Sequence, residues 1–440
     1  MAATRLRPDR ARRPRRARTT ASPSTRRCAV VLCIPLLLAG CADPSEASLT
    51  FWSFTGIQQG DQVQRYLEAN PGTRIALSEV GTSAETADAL TAALAGGRAP
   101  DLVLIQGEDL PRFVAADEHF LDLRRVAGAD LSGEYLSWAW DAATTPTGKV
   151  IGVPTDVGGM ALAYRADLFE AAGLPSDPAS VQELWPTWEA FIEVGARFAA
   201  QSDAAFVDNV STTVFVNASN QLAVKYYDEA GAPVHADNPE LREAFDTALA
   251  AHDAGISAGL PAFTAGWSGA MARGDFAVMA APSWMLRVMS STAPETSGDW
   301  RIVPVPGVAG NWGGSYLAIP AGSRHPKAAW DYIAATQSAA AQTDHFVSGG
   351  PLPAAVAPYE EGDLAAFGDP FFGDSDIGTV FTNSILGMEP VPQGPASGTI
   401  NAAFLRALTA VEQGSLAPAD AWRSALEAVD AALPASADGP

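Results

Sequence analysis

At 440 residues and 48% apolar side chains, the chain is long enough to bury cores in two domains. Its 28 basic and 50 acidic residues leave a net charge of −22, but ten of the basic residues and one acidic residue fall in the first 40 positions. Residues 41–440 therefore carry 18 positive against 49 negative charges, a net of −31. A surface that acidic repels phosphate backbones and anionic lipid headgroups, which excludes nucleic acid as a partner and membrane binding through charge.

The N-terminus reads as an export signal. Ten arginines precede the 12-residue apolar run Ala29–Gly40, which is short of the ~20 residues that span a bilayer and is interrupted by Pro35. The tetrapeptide Leu38-Ala39-Gly40-Cys41 looks like the bacterial lipobox, in which cleavage exposes a cysteine that receives diacylglycerol. We therefore expect residues 1–40 to leave as a signal peptide. Cys41 would then be lipidated and hold the protein on the outer face of the cell membrane, since two or more acyl chains anchor firmly where one does not. Arg26-Arg27 leaves twin-arginine export open beside general secretion. Cys28 and Cys33 depart with the signal, so no disulfide and no cysteine-bound metal is available beyond it.

Residues 41–47 are small and polar and suit a tether. Leu49–Ser53 is apolar on both faces, as strands buried in a parallel sheet are. A helical pattern runs to Ala69 and stops at Asn70-Pro71-Gly72. Thr73–Val80 reads as a second strand, Ala84–Ala95 as a helix stopped by Gly96-Gly97, and Leu102–Ile105 as a third buried strand. This βαβαβ order predicts an α/β domain with a parallel sheet. Farther on, Thr187 is a predicted N-cap for a helix over Trp188–Ala199, and Trp422, Leu426, Val429 and Leu433 form a late apolar stripe.

Several blocks, taken in order, resemble the family of extracellular sugar-binding proteins that includes maltose-binding protein. They are Leu49–Gly56 (LTFWSFTG), Leu90–Asp101 (LTAALAGGRAPD), Gly148–Pro154 (GKVIGVP), Ala163–Leu174 (AYRADLFEAAGL), Pro186–Glu189 (PTWE), Arg273–Met279 (RGDFAVM) with Trp284, Asn311–Ser315 (NWGGS), Leu317–Pro320 (LAIP), Lys327–Ile333 (KAAWDYI) and Gly350–Ala354 (GPLPA). The chain departs from the family pattern at three places. Ile151 stands where tyrosine is usual, Pro282-Ser283 replaces Gly-Pro before the tryptophan, and Val214–Asn217 replaces a tryptophan-rich segment.

The resemblance implies a two-lobe periplasmic-binding-protein-like fold, each lobe a mostly parallel sheet flanked by helices, joined by a hinge of crossing strands. Lobe one is expected over 48–154 plus 310–345 and lobe two over 155–309 plus 346–440. It further implies a monomeric substrate-binding lipoprotein that captures a carbohydrate, expected to be an oligosaccharide, between the lobes and delivers it to the permease subunits of an ABC transporter. It calls for no cofactor, metal or catalytic residue.

A pyranose presents C–H faces to aromatic rings and a rim of hydroxyls to carboxylates or amides. Trp284 and Trp312 are the expected stacking rings. Trp52 and Trp267 stand evenly between site and core, and Trp138, Trp140, Trp185, Trp188, Trp330 and Trp422 are expected in cores. Ligands of open α/β sheets bind at the carboxyl ends of strands, which selects Ser53 after the first strand and Glu108 after the third. Asp156 follows the expected hinge at Pro154, Gly313-Gly314 would let backbone approach the ligand, and Asn217 is a further candidate.

Other readings stay open. Phe372–Ser375 (FGDS) resembles the nucleophile block of GDSL esterases but lies late in the chain, so an exported hydrolase acting on a glycan or ester is the main rival. Tyr226-Tyr227 is similar to the paired tyrosines of ferric-ion binders, although adjacent strand aromatics facing opposite sides explain it more simply. The acidity would also suit a polyamine.

Overall fold

The computed structural model describes residues 48–433, with residues 58, 363 and 389 excepted. The expected signal peptide and tether, with Cys41, lie outside the described residues. Strands β1 (Ser48–Ser53), β2 (Arg74–Glu79) and β3 (Leu102–Gln106) form the parallel start expected from the sequence. Helices Gln59–Ala69 and Ser83–Ala95 connect them. The second helix starts where its sequence can cap it. Thr82 Oγ1 accepts from the Glu85 amide at 3.3 Å while Glu85 Oε2 accepts from the Thr82 amide at 2.8 Å, so two orphan donors are satisfied reciprocally.

The chain then passes into β4 (Gly152–Gly159), β5 (Leu162–Arg165), β6 (Ala205–Val207), β7 (Phe276–Ala280), β8 (Trp300–Val303) and β9 (Asn311–Ala318). A five-stranded sheet has the order β2-β1-β3-β9-β4 and a four-stranded sheet the order β6-β7-β5-β8. Helix Trp188–Ala199 is capped by Thr187 as expected, and helix Pro418–Ala432 carries the late apolar stripe.

The sheets are more mixed than the expectation of mostly parallel pairing. β9 runs antiparallel to both β3 and β4, and β5 runs antiparallel to both β7 and β8. The reason is the hinge. β4 leads directly from the first sheet into β5 of the second, and β8 leads back into β9, so these strands traverse the molecule rather than returning over a helix. Only helix-connected strands are forced parallel. A third passage touches the crossing, where the Val157 amide donates to the Leu352 carbonyl at 3.0 Å.

Side-chain alternation places the cores. In β3, Leu102 and Leu104 join one cluster with Phe51, Trp140 and Tyr332. Val103 and Ile105 point to the other face, against Leu90 and Phe113. Beyond the crossing, Tyr164, Phe169, Trp185 and Phe206 build a separate aromatic core around the second sheet. The centre of the first sheet is thus buried on both faces, while its edge strand β2 stays open to solvent, and polar function is pushed to strand ends.

Candidate functional site

The turn after β3 and the crossing strand β9 meet through backbone. The Gly107 amide donates to the Gly314 carbonyl at 2.9 Å. Gly313 and Gly314 adopt φ of +114° and +102°, a region closed to most side chains. A methyl added at Gly313 would lie 3.1 Å from the Trp284 indole nitrogen. These two glycines let β9 pass under a tryptophan from the second sheet and against the turn carrying Glu108.

Trp284 follows β7 and stands at the N-cap of helix Met285–Thr292. Its Nε1 donates to the Trp312 carbonyl at 3.1 Å, and the two rings meet edge to face at 5.5 Å. The Pro282-Ser283 replacement has a local role here. Ser283 is buried, its Oγ donates to the Val157 carbonyl at 3.2 Å and accepts from the Leu352 amide at 3.3 Å, so the turn before Trp284 is pinned to the hinge.

Glu108 reaches across to the second half of the molecule. Its Oε2 accepts from Asn401 Nδ2 at 3.2 Å, and Asn401 Oδ1 accepts from the Tyr226 hydroxyl at 2.8 Å. Lys225 is 3% exposed, lies 4.6 Å above the Tyr226 ring and donates to Asn220 Oδ1 at 2.7 Å. Burial pulls the Lys225 ammonium down to about 8 while the Glu108 charge opposes the drop. Burial pushes the Glu108 carboxyl up, against the Lys225 charge and the Asn401 bond. Next to it, Asp109 is pushed up to about 6 by burial, and Arg112 opposes this through a 3.2 Å ion pair. Asp156 pairs with Ser315 across β4 and β9 and accepts from Thr155 Oγ1 at 2.5 Å; burial pushes its carboxyl up to about 6.

Glu108, Asp156, Trp284, Trp312, Gly313 and Gly314 thus come together along the crossing. Of the other expected residues, Trp52, Ser53 and Asn217 are bound up elsewhere in the fold, while Trp267 lies buried beside the loop that carries Phe263. Trp52 packs on the far face of the first sheet, with the cluster around Leu90 and Val103. Ser53 is fully buried and its hydroxyl donates to the neighbouring Phe54 carbonyl at 3.1 Å. Trp267 is 1% exposed, and its Nε1 donates to Asp208 at 2.8 Å. Asn217 is fully buried at the end of a π-helical turn, Ser211–Val216. Its Nδ2 donates to the Thr213 carbonyl at 2.9 Å, while its Oδ1 has no partner among the described residues.

Two further expectations are corrected. Tyr226 and Tyr227 do not alternate on a strand; both are buried in an irregular segment, where Tyr226 serves the Asn401 bond. Ser375 is a framework residue. Its Oγ donates to the Phe372 carbonyl at 2.7 Å and accepts from the Ile302 amide at 2.9 Å, so its lone pairs and proton hold the β8 edge.

The structure adds residues that sequence reading missed. Phe263 is 59% exposed, and it is the one non-glycine residue with positive φ (+65°) among the described residues. Its ring stacks on Trp284 at 6.1 Å and 28°, and leans on Trp267 at 5.5 Å. A bulky side chain held in that strained backbone region is a mark of binding sites. The available signal was an aromatic residue in the Gly259–Thr264 loop two positions after Pro261, too common a pattern to select. Asn401 and Lys225 carry no local motif at all. Among the described residues no cluster of His, Cys, Asp or Glu could hold a metal.

The comparisons agree with this architecture. The bacterial extracellular solute-binding protein family matches residues 55–343. The lactose-binding protein of Rhizobium radiobacter is 26% identical over 69% of this chain and 72% of its own length. The arabinooligosaccharide-binding protein of Bacillus subtilis is 22% identical over 69% and 74%. Among solved structures, an extracellular solute-binding protein of family 1 is 32% identical, covers 88% of this chain and 99% of its own, and superposes with a TM-score of 0.76. The lacto-N-biose-binding protein of a Bifidobacterium longum ABC transporter shares the fold at 20% identity, 88% and 97% coverage and a TM-score of 0.71. This chain belongs to the bacterial extracellular solute-binding protein family.

Proposed function

We propose that the protein is the carbohydrate-capturing subunit of an ABC importer, tethered outside the cell through Cys41, and that it performs no chemistry on its ligand. The observation that carries this reading is the run Phe263–Trp284–Trp312–Gly313–Gly314–Gly107–Glu108. It joins a row of aromatic rings to a carboxylate across the hinge strand. Apolar rings and a hydroxyl acceptor match the two surfaces of a pyranose. Lactose- and arabinooligosaccharide-binding relatives favour the same ligand class. Lobe one would comprise 48–154 plus 310–345 and lobe two 155–309 plus 346–440. A sugar touching both would stabilise the closed arrangement, which is the form a permease reads.

A thermal-shift screen against mono- and oligosaccharides, peptides, polyamines and ferric ion tests this. A ligand at 100 times its dissociation constant stabilises by about 2.7 kcal/mol. A shift with ferric ion or polyamine alone would replace the carbohydrate reading. Release of reducing ends from a bound glycan, abolished by one Asp or Glu substitution, would make the protein an enzyme.

A further inference from the structure

Lys225 is a buried cation with unused hydrogen-bonding capacity. An ammonium has three donors, and among the described residues the Lys225 Nζ has a single acceptor, Asn220 Oδ1 at 2.7 Å. Its other near neighbour is the face of Tyr226, 4.6 Å away. Glu108 is its opposite. The carboxylate takes one bond, from Asn401, and keeps most of its acceptor sites. Each charge acts on the other, yet no nitrogen–oxygen approach within 4.0 Å joins them into an ion pair.

A chain of fixed contacts runs from Lys225 to Glu108, beginning at the Tyr226 ring. The Tyr226 hydroxyl donates to Asn401 Oδ1 at 2.8 Å, which obliges the amide nitrogen to face Glu108 Oε2 at 3.2 Å. Tyr226 is 2% exposed and stacks on Phe404 at 6.0 Å, and the Phe404 ring lies 5.9 Å from Phe215 in the second core. Tyr226 and Asn401 are thus fixed by packing and by their own bond, and they orient the groups on either side.

We propose that Glu108 and Lys225 are the two poles of a subsite that takes a neutral sugar hydroxyl and rejects ionised rings. This rests on the carbohydrate reading above and narrows it. A neutral hydroxyl satisfies both poles, accepting from Lys225 Nζ and donating to Glu108. A uronate carboxylate pairs with Lys225 but meets Glu108 with like charge, and a hexosamine ammonium pairs with Glu108 but meets Lys225. Opposed charges thus act as a neutrality filter, with the repulsive half supplying the discrimination. Glu108 follows β3 of the first sheet, while Asn401 and Lys225 belong to segments around the second core. The bridging hydroxyl would therefore also link the two halves.

Titration calorimetry with the full mature chain tests the proposal. The probes are lactose, β-1,6-galactobiose, lacto-N-biose and arabinooligosaccharides, together with galactobiose analogues bearing one uronate or one free amine. Wild type should bind at least one neutral sugar and reject its charged analogues. Glu108→Gln should weaken neutral binding roughly ten- to a hundredfold, the size of one lost charged hydrogen bond, and should bind the uronate better than wild type does. Lys225→Gln should weaken neutral binding similarly and gain for the amine. Ligand-free melts of both variants separate lost binding from lost folding. If wild type binds a neutral sugar and both folded variants keep its affinity and preference, the filter is overturned and the carbohydrate reading stands. If wild type binds none of the sugars, the carbohydrate reading falls with it.

Discussion

Trp284 hangs from the backbone of Trp312: its indole N–H donates to that residue's carbonyl at 3.1 Å, tying the turn after β7 to the crossing strand β9. One ring edge is thereby fixed by the hinge, while the face turned to Phe263 is stacked at 6.1 Å. Such a ring has little freedom left to lose when a ligand arrives, the general source of affinity through preorganisation.

Trp284→Ala should therefore weaken sugar binding by about 1.5–3 kcal/mol, ten- to a hundredfold. The ring is only partly buried, so the ligand-free melting temperature should change little. Trp267→Ala is the control. Its ring is 1% exposed and bonded to Asp208, and truncation should cost about 3–5 kcal/mol of stability. A large fall in melting temperature for Trp284→Ala with affinity retained would move Trp284 into the framework.

Phe263 separates function from stability more sharply. Holding a phenylalanine in the left-handed region costs about 1–2 kcal/mol, and at 59% exposure its ring recovers little of that by burial. Phe263→Gly removes the strain and should leave the melting temperature equal or higher. It should also weaken binding of disaccharides and longer sugars. Calorimetric melting and titration on the same preparation check both halves. A variant that melts lower and binds as tightly as wild type would mean that the ring is a structural plug.

The fold was largely legible because its signals are periodic. Both faces of Leu49–Ser53 and Leu102–Ile105 are apolar, and each strand duly lies inside a sheet with cores on either side. The antiparallel crossings were not legible, since a strand's direction depends on its partner and not on its own pattern. The site divided along the same line. Trp284, Trp312 and Gly313-Gly314 sit in blocks with ordered neighbours. Lys225, Asn401 and Phe263 are distant in sequence from Glu108 and Trp284 and meet them only through tertiary packing. Trp52 and Ser53 illustrate the limit of the strand-end rule: in β1 the final residues are still within the sheet, with Ser53 opposite Glu79 of β2.

Cys41→Ser tests the anchor. The substitution removes the acceptor sulfur for diacylglycerol, and a net charge of −31 over residues 41–440 gives no substitute attraction to anionic lipid. On cell fractionation the variant should move from the membrane to the medium or soluble fraction, with sugar binding unchanged. Retention in washed membranes would show that something other than the lipid holds the protein there.

Acidity should stabilise this protein within limits set by its buried carboxyls. Asp208, at the end of β6 and 2% exposed, accepts from the Asn209 amide at 2.7 Å, Thr213 Oγ1 at 2.7 Å and Trp267 Nε1 at 2.8 Å. Burial outweighs those bonds and, with the Glu412 charge, pushes its carboxyl up to about 7. An unfolded aspartate titrates near ~3.9, so the folded chain binds this proton more tightly. The stability it contributes is complete below about pH 4 and is lost as pH rises through about 7. Asp109 and Asp156, pushed up to about 6, add losses of the same sign between about pH 4 and 6. His345 opposes them: burial and the Arg65 and Arg287 charges lower it to about 4, so its contribution is present above about pH 6.5 and lost on acidification. Burial also raises Glu108 and Glu412 and lowers His235, and five carboxyls against two imidazoles leave the melting temperature higher at pH 5 than at pH 7.5. Asp208→Asn removes the carboxyl pushed up to about 7 and should flatten the slope, whatever its effect on the absolute melting temperature. Scanning calorimetry of both proteins at the two pH values decides the matter. A wild-type melting temperature that rises from pH 5 to 7.5 would overturn this reading of the buried carboxyls.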